Sequence, residues 1–294
     1  MPELPEVETV VSDLNKKIIG RKIIAVWFDA PKLIKKPKPA ELEGAINGLK
    51  ITGVGRRGKN ILIRLTGNRL LLVHLKMSGH FLVGKWEMAA GKPRSLNGGA
   101  LGEKVNGYIH FILYLDDGRQ LALSDLRKFA KIAFGQKEEI ENLPEIGRLG
   151  PDALAKELTP AKFREIVARE KRKIKQVLTD QEIIAGIGNI YADEILWASR
   201  VHPFRSAAGL LPAELNKIYA ETRKILQKAV RLRGTSVSDF RDAAGLPGRY
   251  GNIRFVYRRT GLPCLRCQTP IKRLKLGGRS AHFCPACQRP AGAR

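Results

Sequence analysis

All four cysteines of the chain fall in one C-terminal stretch: Cys264-x2-Cys267, sixteen residues, then Cys284-x2-Cys287. Two CxxC knuckles at this spacing close a tetrahedral zinc site, and no other cysteine remains to pair. The alternative, two disulfides in a secreted protein, is disfavoured because the opening residues do not resemble a signal peptide. From Ala243 to Arg294 there is no Asp or Glu but there are eleven Lys and Arg. A zinc-stapled hairpin carrying only positive charge is most simply a binder of phosphate backbone.

The rest of the chain leans the same way. Its 294 residues suffice for two ordinary domains and a small appended module, and a hydrophobic content of 44% implies a packed core. A net charge of +25 argues for a polyanionic partner, nucleic acid first. Membrane-surface binding is the competing reading, but no apolar run approaches the ~20 residues of a spanning helix, and no terminal basic amphipathic helix is present. The expectation is a soluble, cytoplasmic protein with its thiols kept reduced for metal. Against this charge, the stretch up to Asn15 holds Glu3, Glu6, Glu8 and Asp13 and no basic side chain. Such an acidic start serves something other than phosphate attraction.

Pro5 and Glu6 open a helical pattern in which Val7, Val10, Val11, Leu14 and Ile18 share one face. Pro is tolerated in a first turn because its missing N–H would have no intrahelical partner. Strand-like runs follow at 22–28, 60–65, 69–75, 109–115, 119–124 and 129–134, with turn signals at Thr66-Gly67-Asn68 and Asp116-Asp117-Gly118. Short strands with hairpin turns predict an antiparallel sandwich or barrel. Residues 84–106, rich in Gly and polar side chains, read as a long loop. The period changes near Gly147–Pro151, a natural linker. Beyond it the patterns predict helices at about 160–175, 190–200 and 212–233, with Gly234 as a stop signal, then a loop-like stretch to Tyr250. The resulting division is 1–136, 151–245 and 254–290, an α+β multidomain chain.

Several segments carry chemistry, each with a plainer alternative. An initiator Met before a small residue is normally removed, which would leave Pro2 as a free secondary amine. An unperturbed α-amine has a pKa of about 8, so far more of it is neutral nucleophile at pH 7 than of any lysine. The positive end of the following helix disfavours its protonated form further. Attack by a secondary amine on an aldehyde gives an iminium that cannot lose its charge by N–H deprotonation, an electron sink for β-elimination, and Glu3 is placed to exchange protons. The alternative is that Met-Pro is merely a common start.

Gly186-Ile187-Gly188-Asn189-Ile190-Tyr191 has Tyr where a dinucleotide fingerprint needs its third Gly. It reads either as a glycine turn offering helix N-terminal amides to a phosphate or as a plain helix connection. Lys162–Lys175 holds seven basic residues against two acids, as a solvated helix face also would. Met77 and Phe129 sit beside cations at strand ends, where core packing is the ordinary explanation. Arg56-Arg57-Gly58-Lys59 is a basic turn, whose Lys59 is a candidate for phosphate contact or proton transfer.

Taken together, these residues resemble the formamidopyrimidine-DNA glycosylase family. Pro2-Glu3-Leu4-Pro5-Glu6-Val7-Glu8-Thr9 matches the family's opening, Gly186–Glu194 (GIGNIYADE) resembles its helix–two-turn–helix signature, and the CxxC-x16-CxxC matches its zinc finger in spacing. The resemblance spans almost the whole chain in the right order. It implies an N-terminal antiparallel β-sandwich with a leading helix, a helix–two-turn–helix domain and a C-terminal zinc-finger β-hairpin. It also implies a bifunctional DNA glycosylase and abasic-site lyase that removes oxidised purines, with damaged duplex DNA as partner of a monomer. By resemblance Pro2 is the nucleophile at C1′ and Glu3 its acid–base partner. Lys59 assists β-elimination and contacts phosphate; Arg279 grips phosphates and assists δ-elimination. His74, Tyr108, Lys171 and Asn189 fall among DNA contacts. Met77, Arg127 and Phe129 fill the gap left by the extruded base, Arg127 facing the orphaned cytosine and Phe129 wedging the duplex. The loop after Gly234, with Thr235 and Ser236, resembles one that closes over the flipped base, and bent DNA is expected in a cleft between sandwich and helices. One structural zinc ion, held by Cys264, Cys267, Cys284 and Cys287, is the implied cofactor.

The chain departs from the family pattern in four places. Lys76 stands where Gly is common, Tyr108 where a DNA-contacting His is common, and Arg258 where Gly usually follows Val-Tyr. The 84–106 loop is longer than usual. A related branch that prefers oxidised pyrimidines opens Pro-Glu-Gly-Pro, whereas Pro-Glu-Leu-Pro here favours purines. The reading from another class is a zinc-finger DNA-binding protein without catalysis, which explains charge and cysteines but not the Pro-Glu start.

Overall fold

A computed structural model describes residues 1–236 and 239–290. It divides into two compact units, Met1–Gly147 with Leu232–Gly251, and Arg148–Arg231 with the chain from Asn252 onward.

The first unit begins with α1 (Leu4–Lys17). Glu3 is its N-cap, and Glu6 reaches back so that its Oε2 accepts the Glu3 N–H at 2.8 Å, a reciprocal cap that satisfies otherwise orphaned amides. Val7, Val10 and Leu14 on the inward face are completely buried. There follow β1 (Ile23–Phe28), β2 (Ile34–Lys36), α2 (Pro39–Ile46), β3 (Ile51–Arg57), β4 (Asn60–Leu65), β5 (Arg69–His74), β6 (His80–Gly84), β7 (Trp86–Ala89), β8 (Lys92–Ser95), β9 (Ile109–Leu115), β10 (Gln120–Ser124), β11 (Lys131–Gln136), α3 (Lys137–Glu141) and α4 (Pro144–Gly147).

Two sheets form the sandwich, one ordered β1-β9-β10-β6 and the other β2-β11-β5-β4-β3. All their pairings are antiparallel except β2 with β11. Leu121 pairs with Leu113 and Val83, and Leu123 with Phe111 and Phe81, so alternate positions of three strands enter one core with α1. The intervening positions Leu82, Ile112 and Ala122 form a smaller apolar cluster with Trp86 and Ile109. The four-stranded sheet is therefore apolar on both faces and must be covered on both.

That cover corrects the reading of residues 84–106 as one long loop. Trp86–Ala89 pairs with Lys92–Ser95 around Ala90-Gly91, both at positive φ as a tight hairpin turn requires. Two short 3-10 turns follow. The alternation that announces a strand is missing because this hairpin is largely exposed.

The second unit contains α5 (Pro160–Ala168), α6 (Ile174–Thr179), α7 (Asn189–Ser199), α8 (Pro212–Arg231) and the hairpin β12 (Lys272–Leu276) and β13 (Arg279–Phe283). The single helix expected over 160–175 is two. Backbone carbonyls of Glu170 and Arg172 instead accept the amides of Ala208 and Ala207, each at 2.9 Å, and that long-range pairing replaces the helical bonds. Helix α7 is buried almost all round, as a central helix must be, and α8 buries the expected stripe of Leu215, Ile218, Thr222, Ile225, Leu226 and Ala229. Among the described residues no helix is long and apolar enough to cross a membrane.

The described residues of 232–251 pack with the first unit. Phe240 and Ala243 enter the sandwich core. The Thr235 N–H donates to Glu6 Oε1 at 2.6 Å, and Arg233 pairs with Asp13 of α1 at 2.5 Å. Val237 and Ser238 of the expected base-covering loop lie outside the described residues.

Candidate nucleic-acid site and metal centre

In the first unit, Pro2 and Glu3 lie buried at the start of α1. Glu6, one turn on, ties Glu3 to Thr235, so the N-terminus and the 232–251 segment share one carboxylate. Lys59 occupies the turn between β3 and β4 and is only 5% exposed. Arg56 sets that turn: its Nε donates to Glu8 Oε2 at 2.7 Å and its Nη1 to the Gly58 carbonyl at 2.9 Å.

His74, at the end of β5, lies near the Lys59, Lys76 and Lys131 ammoniums. Burial first, and then these charges, lower its pKa to about 3. Its Nδ1 accepts the Lys76 backbone N–H at 2.9 Å, which puts the proton of the neutral ring on Nε2. The ring is thus a neutral donor with a fixed tautomer.

A cavity of about 430 Å³ is lined by Met1, Lys76, Met77, Lys128, Phe129 and Lys131, among others. Met77 and Phe129 are 41% and 49% exposed, so they are not core residues. The Arg127 guanidinium lies 4.7 Å from the centre of the Phe129 ring. Met77, Arg127 and Phe129 come from two loops that the sequence alone does not join. The joint is Asp125, fully buried, a residue that sequence reasoning passes over. Its Oδ1 accepts the Ser78 hydroxyl at 2.6 Å, its Oδ2 accepts the amides of Phe129 and Ala130, and the Ser78 oxygen accepts the Arg127 amide at 3.1 Å. The available signal was an Asp just after a strand, where such side chains bind local amides. Tyr108 is half-buried beside this knot, and its carbonyl accepts the Asp125 amide at 2.8 Å.

In the second unit, Asn189 is the first residue of α7, after Gly186 (φ 109°) and Gly188. The Gln181 side chain clasps this turn, its Nε2 donating to the Ile187 carbonyl at 2.8 Å and its Oε1 accepting the Gly186 amide at 2.9 Å. Lys171 is exposed in the segment between α5 and α6. Arg279 is exposed just after the Gly277-Gly278 turn of the finger hairpin and lines a second cavity of about 430 Å³ with Lys175, Gln176 and Gln181.

A buried network that sequence reading missed seats this hairpin. Lys175 Nζ lies 2.6 Å from Asp193 Oδ1, and Asp193 Oδ2 accepts the His282 amide at 3.0 Å and contacts its ring Nδ1 at 2.9 Å. Glu194, next in α7, is fully buried and accepts the amides of Phe255, Val256 and Tyr257 at 2.7 to 2.9 Å. Burial raises its pKa, and those amides pull it back. Helical spacing on α7 carries no hint of these partners, most of which lie more than sixty residues on.

The sulfurs of Cys264, Cys267, Cys284 and Cys287 all lie within 4.8 Å of one another. Three of the separations are 3.9, 3.4 and 3.3 Å. A tetrahedral zinc with bonds of about 2.3 Å needs sulfurs about 3.8 Å apart, so the donor set fits one zinc ion with no position left for water. That ion is structural. Trp197 Nε1–H donates to Cys264 Sγ at 3.4 Å, and the Arg266 guanidinium lies 3.8 Å from the Trp197 ring centre while donating to the carbonyls of Trp197 and Ala198. The knuckle thereby caps the C-terminal end of α7, where a cation is favoured.

Pro2, Glu3, Lys59, His74, Met77, Tyr108, Arg127 and Phe129 therefore belong to the first unit, and Lys171, Asn189, Arg279 and the cysteines to the second. Two of the departures from the family pattern share a conformation. Lys76 (φ 54°) and Arg258 (φ 56°) are both left-handed, which is where glycine is the unstrained choice.

Family models match in the same order: the formamidopyrimidine-DNA glycosylase N-terminal domain over residues 1–132, its H2TH domain over 149–241, and a zinc finger found in FPG and IleRS over 261–290. The formamidopyrimidine-DNA glycosylase of Chloroflexus aurantiacus is 38% identical over 289 residues, 98% of each chain. The Lactococcus lactis FPG in complex with a Fapy-dG containing DNA has a TM-score of 0.84 at 31% identity, covering 98% of this chain and 100% of that one. The Lactococcus lactis Fpg in complex with an abasic site containing DNA has a TM-score of 0.85 at 32% identity, with 98% and 99% covered. With a matching N-terminal sandwich, H2TH unit and four-cysteine finger along its length, the chain belongs to the formamidopyrimidine-DNA glycosylase family.

Proposed function

We propose that the protein is a base-excision repair DNA glycosylase and abasic-site lyase, acting as a monomer on oxidised purines (8-oxoguanine and formamidopyrimidines) in duplex DNA. The observation that carries this reading is the Pro2-Glu3 pair, buried at the positive end of α1 and linked through Glu6 to the 232–251 segment. Solved relatives bound to Fapy-dG and abasic-site DNA support the substrate class.

After removal of Met1, the Pro2 nitrogen attacks C1′ and the bond to the damaged base breaks. Opening of the sugar gives an iminium at Pro2, with Glu3 exchanging the protons. The iminium accepts the electrons released when the C2′ proton is lost, which expels the 3′ phosphate; loss of a further sugar proton expels the 5′ phosphate. Lys59 assists the first elimination and Arg279 the second. His74 contributes a neutral N–H to a phosphate, and Lys171, Asn189 and Tyr108 add backbone contacts. Met77, Arg127 and Phe129 occupy the space of the extruded base; their exposure beside a lysine-rich cavity supports a wedge. Zinc holds the finger and takes no part in the bond changes.

The test is borohydride trapping on a duplex with one 8-oxoguanine opposite cytosine. The expected result is a covalent adduct that maps to Pro2 and is lost in Pro2→Gly, while duplex affinity stays within about threefold. Full-rate cleavage by Pro2→Gly would overturn the assignment of the nucleophile, and an intact lesion despite tight binding would overturn the purine substrate.

A further inference from the structure

The segment between β6 and β9 is more than a cover for the sheet. Trp86 is 4% exposed against the outer cluster, and its backbone exchanges hydrogen bonds of 2.8 and 2.9 Å with the Gln120 side chain. At its far end lies Asn106, fully buried. The Asn106 Nδ2 donates to the Ala100 carbonyl at 2.6 Å and to the Gly245 carbonyl at 3.3 Å, and its Oδ1 lies 2.9 Å from His80 Nε2. Beside it the Val83 amide donates to the Ala243 carbonyl at 3.0 Å. Gly245 has φ +81°, and a Cβ there would come within 2.7 Å of Asn106 Nδ2 and 3.0 Å of the Ala100 backbone. A side chain at this position would therefore crowd the contact.

The segment 239–246 is therefore held from two sides. On one side Asp13 of α1 accepts the Ala243 amide at 3.3 Å and pairs with Arg233, which also pairs with Asp242 at 2.7 Å. On the other is Asn106. We infer that Asn106, carried by the 84–106 segment, is a positioning residue for base excision, fixing the chain around Gly245 that returns beside α1. This rests on the functional reading above and on the resemblance by which the loop that holds Thr235 and Ser236 closes over the flipped base. An abasic substrate presents no base to that segment, so its cleavage should be indifferent to the same contact. Asn106 would thus set selectivity between steps rather than overall fold.

Asn106→Ala removes both donors; Asn106→Asp keeps an acceptor toward His80 but turns a donor into an acceptor toward Ala100 and Gly245. Both variants should excise 8-oxoguanine about tenfold more slowly under single-turnover conditions, while cleavage of a preformed abasic site changes less than about threefold. Hydrogen exchange of amides 239–246 should quicken in both. Equal slowing of the two reactions, or no slowing of either, would overturn the inference. If the unsubstituted protein excises no base at all, the functional reading fails instead, and unchanged exchange at 239–246 would then still refute the contact's role.

Discussion

The Ser78 hydroxyl donates to Asp125 Oδ1 at 2.6 Å, across forty-seven residues of sequence, and this bond joins the Met77 loop to the Phe129 loop. Both of these large apolar side chains are exposed, so no core packing holds them in place. The carboxylate and the amides it accepts take over that work.

Asp125→Ala should therefore do two things. It leaves the Ser78 hydroxyl and the Phe129 and Ala130 amides without their acceptor, which should cost about 2–4 kcal/mol by urea denaturation. It should also weaken binding to lesion duplex more than Phe129→Ala does, because it releases both loops. Comparison of the two variants by fluorescence anisotropy checks this.

His74 makes stability depend on pH. The unfolded ring takes a proton near its ordinary value of 6.5, whereas the folded ring takes one only at about 3. Between those values the unfolded chain holds more protons, so the contribution is lost as pH falls and is fully present above about 6.5. His74→Gln should flatten the urea midpoint between pH 6.5 and pH 4 relative to the unsubstituted protein. An identical pH dependence in the two would contradict it.

Zinc removal should release the finger. Cys284→Ser is expected to abolish stoichiometric zinc and to lower duplex affinity by at least about tenfold, since the hairpin that carries Arg279 loses its cross-link. Metal content by atomic absorption and affinity by anisotropy are the readouts.

Arg279 is exposed at the hairpin turn, so Arg279→Ala should leave stability within about 0.5 kcal/mol. Affinity should fall and the slope of log affinity against log salt should shrink by about one, as for the loss of a single phosphate contact. An unchanged slope would remove Arg279 from the phosphate-binding set.

Arg258 sits at φ 56°, where a side chain is strained. Arg258→Gly should raise stability by up to about 1 kcal/mol, reduced by the extra freedom glycine has in the unfolded chain. Arg258→Val should lower it by more than that. Thermal melts of the pair give the sign directly.

Much of this protein was legible along the chain. Cysteine spacing specified the metal site because thiolate ligands and a tetrahedral ion leave few arrangements, and the four sulfurs do converge. The face of α1 was legible because Val7, Val10 and Leu14 repeat at helical period against a buried sheet. The β9 and β10 strands were legible because their turn is polar and their inner positions alternate. The placing of Lys59 in a tight turn and of Asn189 at the start of a helix followed from local glycine signals.

The remaining features depend on partners far apart in the chain and arise only on folding. The helix expected over 160–175 broke where Glu170 and Arg172 found the amides of Ala207 and Ala208, bonds no local pattern announces. The 84–106 hairpin shows no alternation because its strands are exposed, yet its ends bury Trp86 and Asn106. Nothing in a linear reading marks Asp125, Asp193 and Glu194 as buried. A buried carboxylate is stable only with donors around it, and those donors are supplied by backbone and side chains that meet only once the chain has folded.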